Sequence, residues 1–273
     1  KLTYILIAAV VLKHLLQRED KIELFIKLVI LNLYLISSLL IFSTITGIGN
    51  STYGFGFGTK SFFASGNGLG LYLGLTTTML IGLKSIGYHQ VSFKSLLVFT
   101  LAIALIGSKT SLVFCMVNLA LISYISRYRV VLFFSIIIII IIALPKIIEI
   151  ASLVFDVILI RLQNSDNILV YLGSGRIQYV TNAFAEFWNS GASLYRLVFG
   201  GGAFLSFQNE YTLQHFDTLE TDLFDLLFMY GLVSVFLYCF FSFYILYKLR
   251  KTYILLLAFS LLFLHSVIAG HVL

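Results

Sequence analysis

The chain has 273 residues, of which 60% are hydrophobic and 11% charged, with a mean hydropathy of +1.01; a soluble domain is roughly 45–50% apolar and about 25% charged. That balance excludes an ordinary soluble enzyme and implies an all-α, polytopic bundle of transmembrane helices. The net charge of +6 does not build a nucleic-acid surface, because the 18 Lys and Arg lie in short clusters between apolar runs, and Cys115 and Cys239, each inside such a run, argue against a disulfide framework or a metal site.

A helix crossing the hydrocarbon core needs about 20 mostly apolar residues, and eight segments qualify as candidates. Leu2 to Leu16 reads as the cut end of a span, Phe25 to Thr46 as a full one, and Leu69 to Leu83 as a shorter one rich in Gly and Thr. Ser95 to Gly107 and Ser111 to Ile125 flank Ser108-Lys109-Thr110, and Val130 to Ile150 holds seven consecutive isoleucines. Leu223 to Tyr247 is strongly aromatic, and Tyr253 to Gly270 closes the chain. Six candidate spans thus fall within residues 1–150, a large loop within 151–222 and the last two spans within 223–273, all in one membrane domain. A start at Lys1 and a stop at Leu273 just after an apolar run lead us to expect a piece of a longer protein, with spans missing at an end.

Alternating these spans gathers Lys13, Arg18, Lys21, Lys27, Lys84, Lys94, Arg127, Arg129, Lys248, Arg250 and Lys251 into or beside short loops on one side, which the positive-inside rule makes cytoplasmic. The opposite, outer side carries the Gly47 to Gly68 loop, the Ser108 to Thr110 turn, the segment from Ala151 to Asp222 and His271. Polar groups that converge where a bundle meets its interface line a cavity or a pathway.

Within the long outer segment, Ile177, Val180, Phe184 and Phe187 recur at helical spacing, so Arg176 to Trp188 reads as an amphipathic interfacial helix with Ser174 as a candidate N-cap. Such a helix either rests on lipid headgroups or serves a site. Arg176 bears on the choice, since a cation in the first turn opposes the helix dipole but suits an anionic ligand. Arg196 is a second candidate of that kind. Gly200-Gly201-Gly202 is either a tight turn or a set of amides for an anion.

Glu220, Asp222 and Asp225 then open a long apolar run. Asp217-Thr218-Leu219-Glu220 has capping-box spacing, so Glu220 either reaches back to a cap amide or serves as a general base. Asp222 and Asp225, three apart, share a helix face. Lys109 is either a snorkelling lysine or an anion contact. His215 and His271 lack a second ligand at metal-binding spacing, so no metal is expected, and Asn67, His215 and His271 stand as polar candidates for substrate contact.

Several of these segments resemble the O-antigen polymerase and O-antigen ligase superfamily of membrane polysaccharide glycosyltransferases. Phe62-Phe63-Ala64-Ser65-Gly66-Asn67-Gly68-Leu69-Gly70 is similar to that family's entry to a span, and Ser108-Lys109-Thr110 to its serine and basic residue between helices. Ser174-Gly175-Arg176 with Trp188 resembles the start of its large outer loop. Gly200 to Gly202 is similar to its glycine turn, and Glu220-Thr221-Asp222 through Gly231 to the polymerases' Glu-x-Asp helix ending in Gly. Ligases tend to carry His-Asn where this chain has Glu220-Thr221, which favours the polymerase.

The resemblance implies transfer of a glycan from undecaprenyl diphosphate to the sugar of another lipid-linked repeat unit, on the periplasmic or exterior face of a bacterial inner membrane. It implies no cofactor and no nucleic acid; the partners are the lipid-linked glycan, membrane lipids and a chain-length regulator protein. Arg176, with Lys109 and Arg196, would meet the diphosphate, Glu220 would take the acceptor's proton, and Asp222 and Asp225 would orient the sugar or Glu220. The alternatives are a ligase acting on lipid A core and, behind it, a lipid-linked oligosaccharide flippase. The flippase is disfavoured because Phe25 to Thr46 and Val130 to Ile150 have no acid at their centres.

Overall fold

The computed structural model describes residues 19–53, 58–88, 91–126, 176–189, 194–202, 207–208, 215–216 and 221–269. The expected spans Leu2 to Leu16 and Val130 to Ile150 lie outside the described residues, as do Ser174, the Asp217 to Glu220 segment and His271. The described chain is mostly helical and falls into two compact units, one within Lys1–Val130 and Lys251–Ala258, the other within Val131–Arg250 and Phe259–Leu273.

In the first unit, α1 (Glu19–Thr46) leads into a short antiparallel hairpin of β1 (Asn50–Ser51) and β2 (Thr59–Ser61), followed by α2 (Gly66–Ser85), α3 (Phe93–Ile106) and α4 (Lys109–Ile125). Serines fix the starts of the last three. Ser65, Ser92 and Ser108 are the N-caps, and each side-chain oxygen accepts an amide hydrogen from the residue three positions on. Gly107, at φ 70°, ends α3 in the left-handed conformation, and Ser108 begins α4 in the next position. A link this short makes α3 and α4 antiparallel neighbours, and it places Lys109 inside the helix as its first residue instead of in a turn.

Helices α2 and α4 run parallel. Thr78 meets Asn118 and Gly74 meets Phe114, a constant offset of forty. Gly66, Gly70, Gly74, Thr78 and Gly82 recur every four residues along α2, a stripe of small residues that lets backbones approach closely. At Gly70 an added Cβ would lie 2.9 Å from Cβ of Ser111, and at Gly74 it would lie 2.3 Å from Cγ of Phe114. The Thr78 hydroxyl donates to Asn118 Oδ1 at 2.7 Å, and Asn118 Nδ2 donates to the Gly74 carbonyl at 3.2 Å. Tyr72 donates from α2 to Asn32 of α1 at 2.9 Å, and the Tyr34 hydroxyl of α1 lies 2.5 Å from Ser95 Oγ of α3. The hairpin is pinned by Ser43 to Ser61 and by Thr52 to the Ile106 carbonyl.

The second unit holds α5 (Arg176–Asn189), α6 (Leu194–Phe199), a hairpin of β3 (Phe207–Gln208) and β4 (His215–Phe216), and α7 (Asp222–Leu249). The final helix α8 (Tyr253–Ala269) contributes its later turns to this unit and its first turns to the other. Among the described residues, α1 over Lys21–Thr46 and α7 over Asp222–Leu249 are long and apolar enough to cross a membrane. Their outer surfaces carry exposed Leu28, Leu31, Leu35, Phe42 and Ile45, and Phe236, Phe240, Phe241 and Phe243. Exposed apolar surface on helices of this length suits a lipid surrounding, so the architecture points to membrane association.

Where lipid surrounds the helices, side-chain burial gives no hydrophobic drive, and an interhelical hydrogen bond contributes about 0.6 kcal/mol on average. Close packing of α2 on α4 therefore contributes more to their association than the polar links do. Gly74→Ala should lower the stability of the purified protein by about 1–3 kcal/mol through overlap with Phe114. Gly68→Ala, whose new Cβ would have only ordinary contacts at 3.6 Å and beyond, should leave the melting temperature unchanged or higher.

Candidate functional site

A single glycine shapes the second unit's polar region. Gly231 has φ 76° and ψ −176° inside α7, a conformation essentially confined to glycine, and it divides the helix into legs of residues 222–230 and 232–249. The Ser234 hydroxyl lies 2.9 Å from the Leu226 carbonyl and 2.7 Å from that of Gly231. Eight residues of a straight helix span about 12 Å, so the two legs meet at a sharp bend. The sequence reading carries one span through Leu223 to Tyr247. The structure instead separates a short acidic leg from a following leg of about 27 Å at 1.5 Å per residue, close to the thickness of a bilayer core.

Breaking a helix strands carbonyls, and the glycine turn supplies their donors. The Gly201 amide donates to the Phe228 carbonyl at 2.7 Å and the Gly202 amide to that of Met229 at 3.0 Å, while the Gly200 amide closes α6 on the Arg196 carbonyl at 2.7 Å. All three amides are committed to the protein, so the turn is structural and does not cradle an anion. No side chain fits at the joint. A Cβ on Gly231 would lie 2.1 Å from the Val198 carbonyl oxygen, and one on Gly200 would lie 2.3 Å from that of Met229.

The amphipathic helix also finds a protein partner. Ala183 and Phe187 of α5 are buried with Phe228 of the acidic leg, and Val180 and Phe224 pack against them. Phe184 and Phe187 each meet the Phe228 ring edge-on, at 5.4 and 5.3 Å between centroids. The apolar face read from the sequence is thus seated, at least through these residues, on α7 and not on headgroups alone. Arg176 is the first residue of α5, and Arg196 stands in the last turn of α6, which packs on α7. The segments carrying Arg176, Arg196, the glycine turn and the acids therefore converge on residues 222–230.

The acids themselves are not equivalent. Thr221 is the N-cap of α7 and Asp222 its first residue, so Glu220 precedes this helix and cannot be its third residue, as a capping box on α7 would require. Asp222 is only 4% exposed. Its Oδ2 accepts from Ser266 of α8 at 2.9 Å, and Ser266 lies 2.5 Å from the Tyr238 hydroxyl. Because Ser266 has one proton and gives it to Asp222, Tyr238 donates to Ser266, and the chain ties both legs of α7 to α8. Asp225 is half-buried one turn on. The hydroxyl of Thr221 is buried and makes no hydrogen bond among the described residues.

Sequence reasoning misses Thr221, Tyr238 and Ser266. Thr221 lies inside the acidic motif and was open to notice; nothing local marks Ser266 as the partner of an acid 44 positions away. His215 pairs with Gln208 across the β3–β4 hairpin. In the first unit, Asn67 is the second residue of α2 and Lys109 the exposed first residue of α4, at the end where Gly70 packs on Ser108 and Ser111. Among the described residues no three His, Cys, Asp or Glu side chains gather as a metal site would need.

Gly231→Ala should destabilise the protein by about 1–3 kcal/mol for the backbone conformation, with a similar further cost for overlap with Val198. Ser266→Ala should cost about 1–3 kcal/mol by removing the hydroxyl that donates to Asp222 and accepts from Tyr238. Thermal unfolding in detergent reads both, and a melting temperature unchanged in either variant contradicts the corresponding contact.

The chain matches no family model, no curated protein and no solved structure.

Proposed function

We propose that this chain is a polytopic bacterial inner-membrane glycosyltransferase of the O-antigen or capsule polymerase type, with eight spans in the sequence given and its site on the outer face. The observation that carries the reading is the convergence of α5, α6 with the glycine turn, and the acidic leg of α7 on one helix of nine residues. Three segments that resemble the polymerase pattern, far apart in sequence, meet there. The break at Gly231 also falls where that pattern ends its acidic helix.

In this reading the substrate is a glycan linked to undecaprenyl diphosphate, and the acceptor is the sugar of a second lipid-linked repeat unit. Glu220 removes the proton of the acceptor hydroxyl. The acceptor oxygen bonds to the anomeric carbon, the bond from that carbon to the phosphate oxygen breaks, and its electron pair leaves on the lipid diphosphate. Arg176 and Arg196 stabilise the growing charge on the leaving group through charge-assisted hydrogen bonds, and Lys109 is a further proposed cation. Thr221 and Asp225 offer the acceptor sugar hydrogen bonds. Asp222, held by Ser266, is a positioning residue for the start of α7.

Full-length protein carrying Glu220→Ala or Arg176→Ala, expressed in a strain lacking its own polymerase, should lose long glycan chains, with chain extension reduced at least about 100-fold. Immunoblots of membranes should show the variants at the parental level. Parental chain-length ladders in both variants overturn the proposal. Loss of every glycan, including single repeat units on the acceptor, assigns the protein to ligation instead.

A further inference from the structure

The first unit contains a cavity of about 800 Å3 at the end of the helices away from Asn67 and Lys109. It lies between the last turns of α2 and α4 and the first turns of α3 and α8. Its walls are mostly apolar, with Phe93 and Leu255 among them, and among the described residues its lining holds two lysines, Lys84 and Lys251, and no carboxylate. Lys84 is half-buried with its Nζ 5.0 Å from the centre of the Phe93 ring, and Lys251 is exposed. Neither lysine has an acidic partner among the described residues. Two tyrosines on the rim, Tyr124 and Tyr253, are 76% and 81% exposed.

We infer that this cavity binds an anionic phospholipid, its headgroup phosphate between Lys84 and Lys251 and its upper acyl chain along Phe93 and Leu255. Two cations on an apolar wall without carboxylates call for an anion that brings its own hydrocarbon. The volume lies within the 300–1,000 Å3 typical of pockets for sizeable organic ligands, well beyond a free phosphate. Amphipathic rings mark the headgroup level of a bilayer, and Tyr124 and Tyr253 put the rim there. Both lysines belong to the basic connections expected on the cytoplasmic side, where anionic lipids are recognised by basic pockets between helices. The inference rests on the membrane reading of these helices and is independent of the polymerase chemistry.

The test uses the full chain purified in mild detergent, with native mass spectrometry to count bound phosphatidylglycerol and phosphatidylcholine of identical acyl chains. The wild-type protein should retain phosphatidylglycerol about tenfold better, K84Q/K251Q should retain the two lipids equally, and K84R/K251R should restore the preference. K60Q, a lysine on the hairpin, should behave as wild type. Equal retention of both lipids by the wild type, or an undiminished preference in K84Q/K251Q, overturns the assignment. Displacement of phosphatidylglycerol by millimolar inorganic phosphate overturns it in favour of a soluble anion. Resistance of the protein to alkaline extraction from membranes is measured separately, so that failure of the membrane reading is told apart from failure of the lipid site. Matching melting temperatures for wild type and K84Q/K251Q show that loss of lipid is not loss of fold.

Discussion

The break at Gly231 is the constraint on which the second unit depends. A helix interrupted at an apolar site leaves carbonyls without donors, and a buried backbone group without a partner costs as much as a lost hydrogen bond. Here the Gly201 and Gly202 amides go to Phe228 and Met229, and the Ser234 hydroxyl lies at Leu226. Those donors arrive only if the α6 turn comes within backbone contact of the break, and that approach is open only to glycine at both Gly200 and Gly231. The position of α6, and with it Arg196, is thereby fixed by backbone hydrogen bonding before any side chain acts.

The first unit solves closeness differently. Its helices remain continuous and approach through the four-residue repeat of small residues on α2, with hydroxyl and amide links between neighbours. In a surrounding without hydrophobic drive, contact area and polar links must supply the association. The two units thus use glycine for opposite purposes: in α2 it keeps a helix regular and thin, and in α7 it ends one.

These differences explain what the sequence discloses. The caps are legible because Ser65, Ser92 and Ser108 act locally, three residues from the amides they satisfy. The apolar face of α5 is legible from its period, but its seat on Phe228 is not, since a 3.6-residue pattern states that a face is apolar and not what covers it. The bend in α7 is hidden for a related reason. Apolar residues flank Gly231 on both sides, from Leu226 to Met229 and again at Leu232 and Val233, so hydropathy runs through the glycine without a change of phase, and a lone glycine in an apolar helix is common in membranes. Only the backbone angles and the carbonyl partners reveal the bend.

The same distinction between local and distant partners separates the acids. Read as a string, Glu220, Asp222 and Asp225 are three carboxylates within six residues. In the fold, Asp222 spends an oxygen on Ser266 and sits at the positive end of α7, where the helix dipole favours its charge. It is thereby held in one place and removed from solvent, which suits a group that locates the start of a helix. Asp225 stands half-buried one turn inside. One carboxylate thus ties the start of α7 to α8 while the other belongs to the first turn of the helix, so acids three positions apart in one motif differ in environment because their partners differ in distance along the chain.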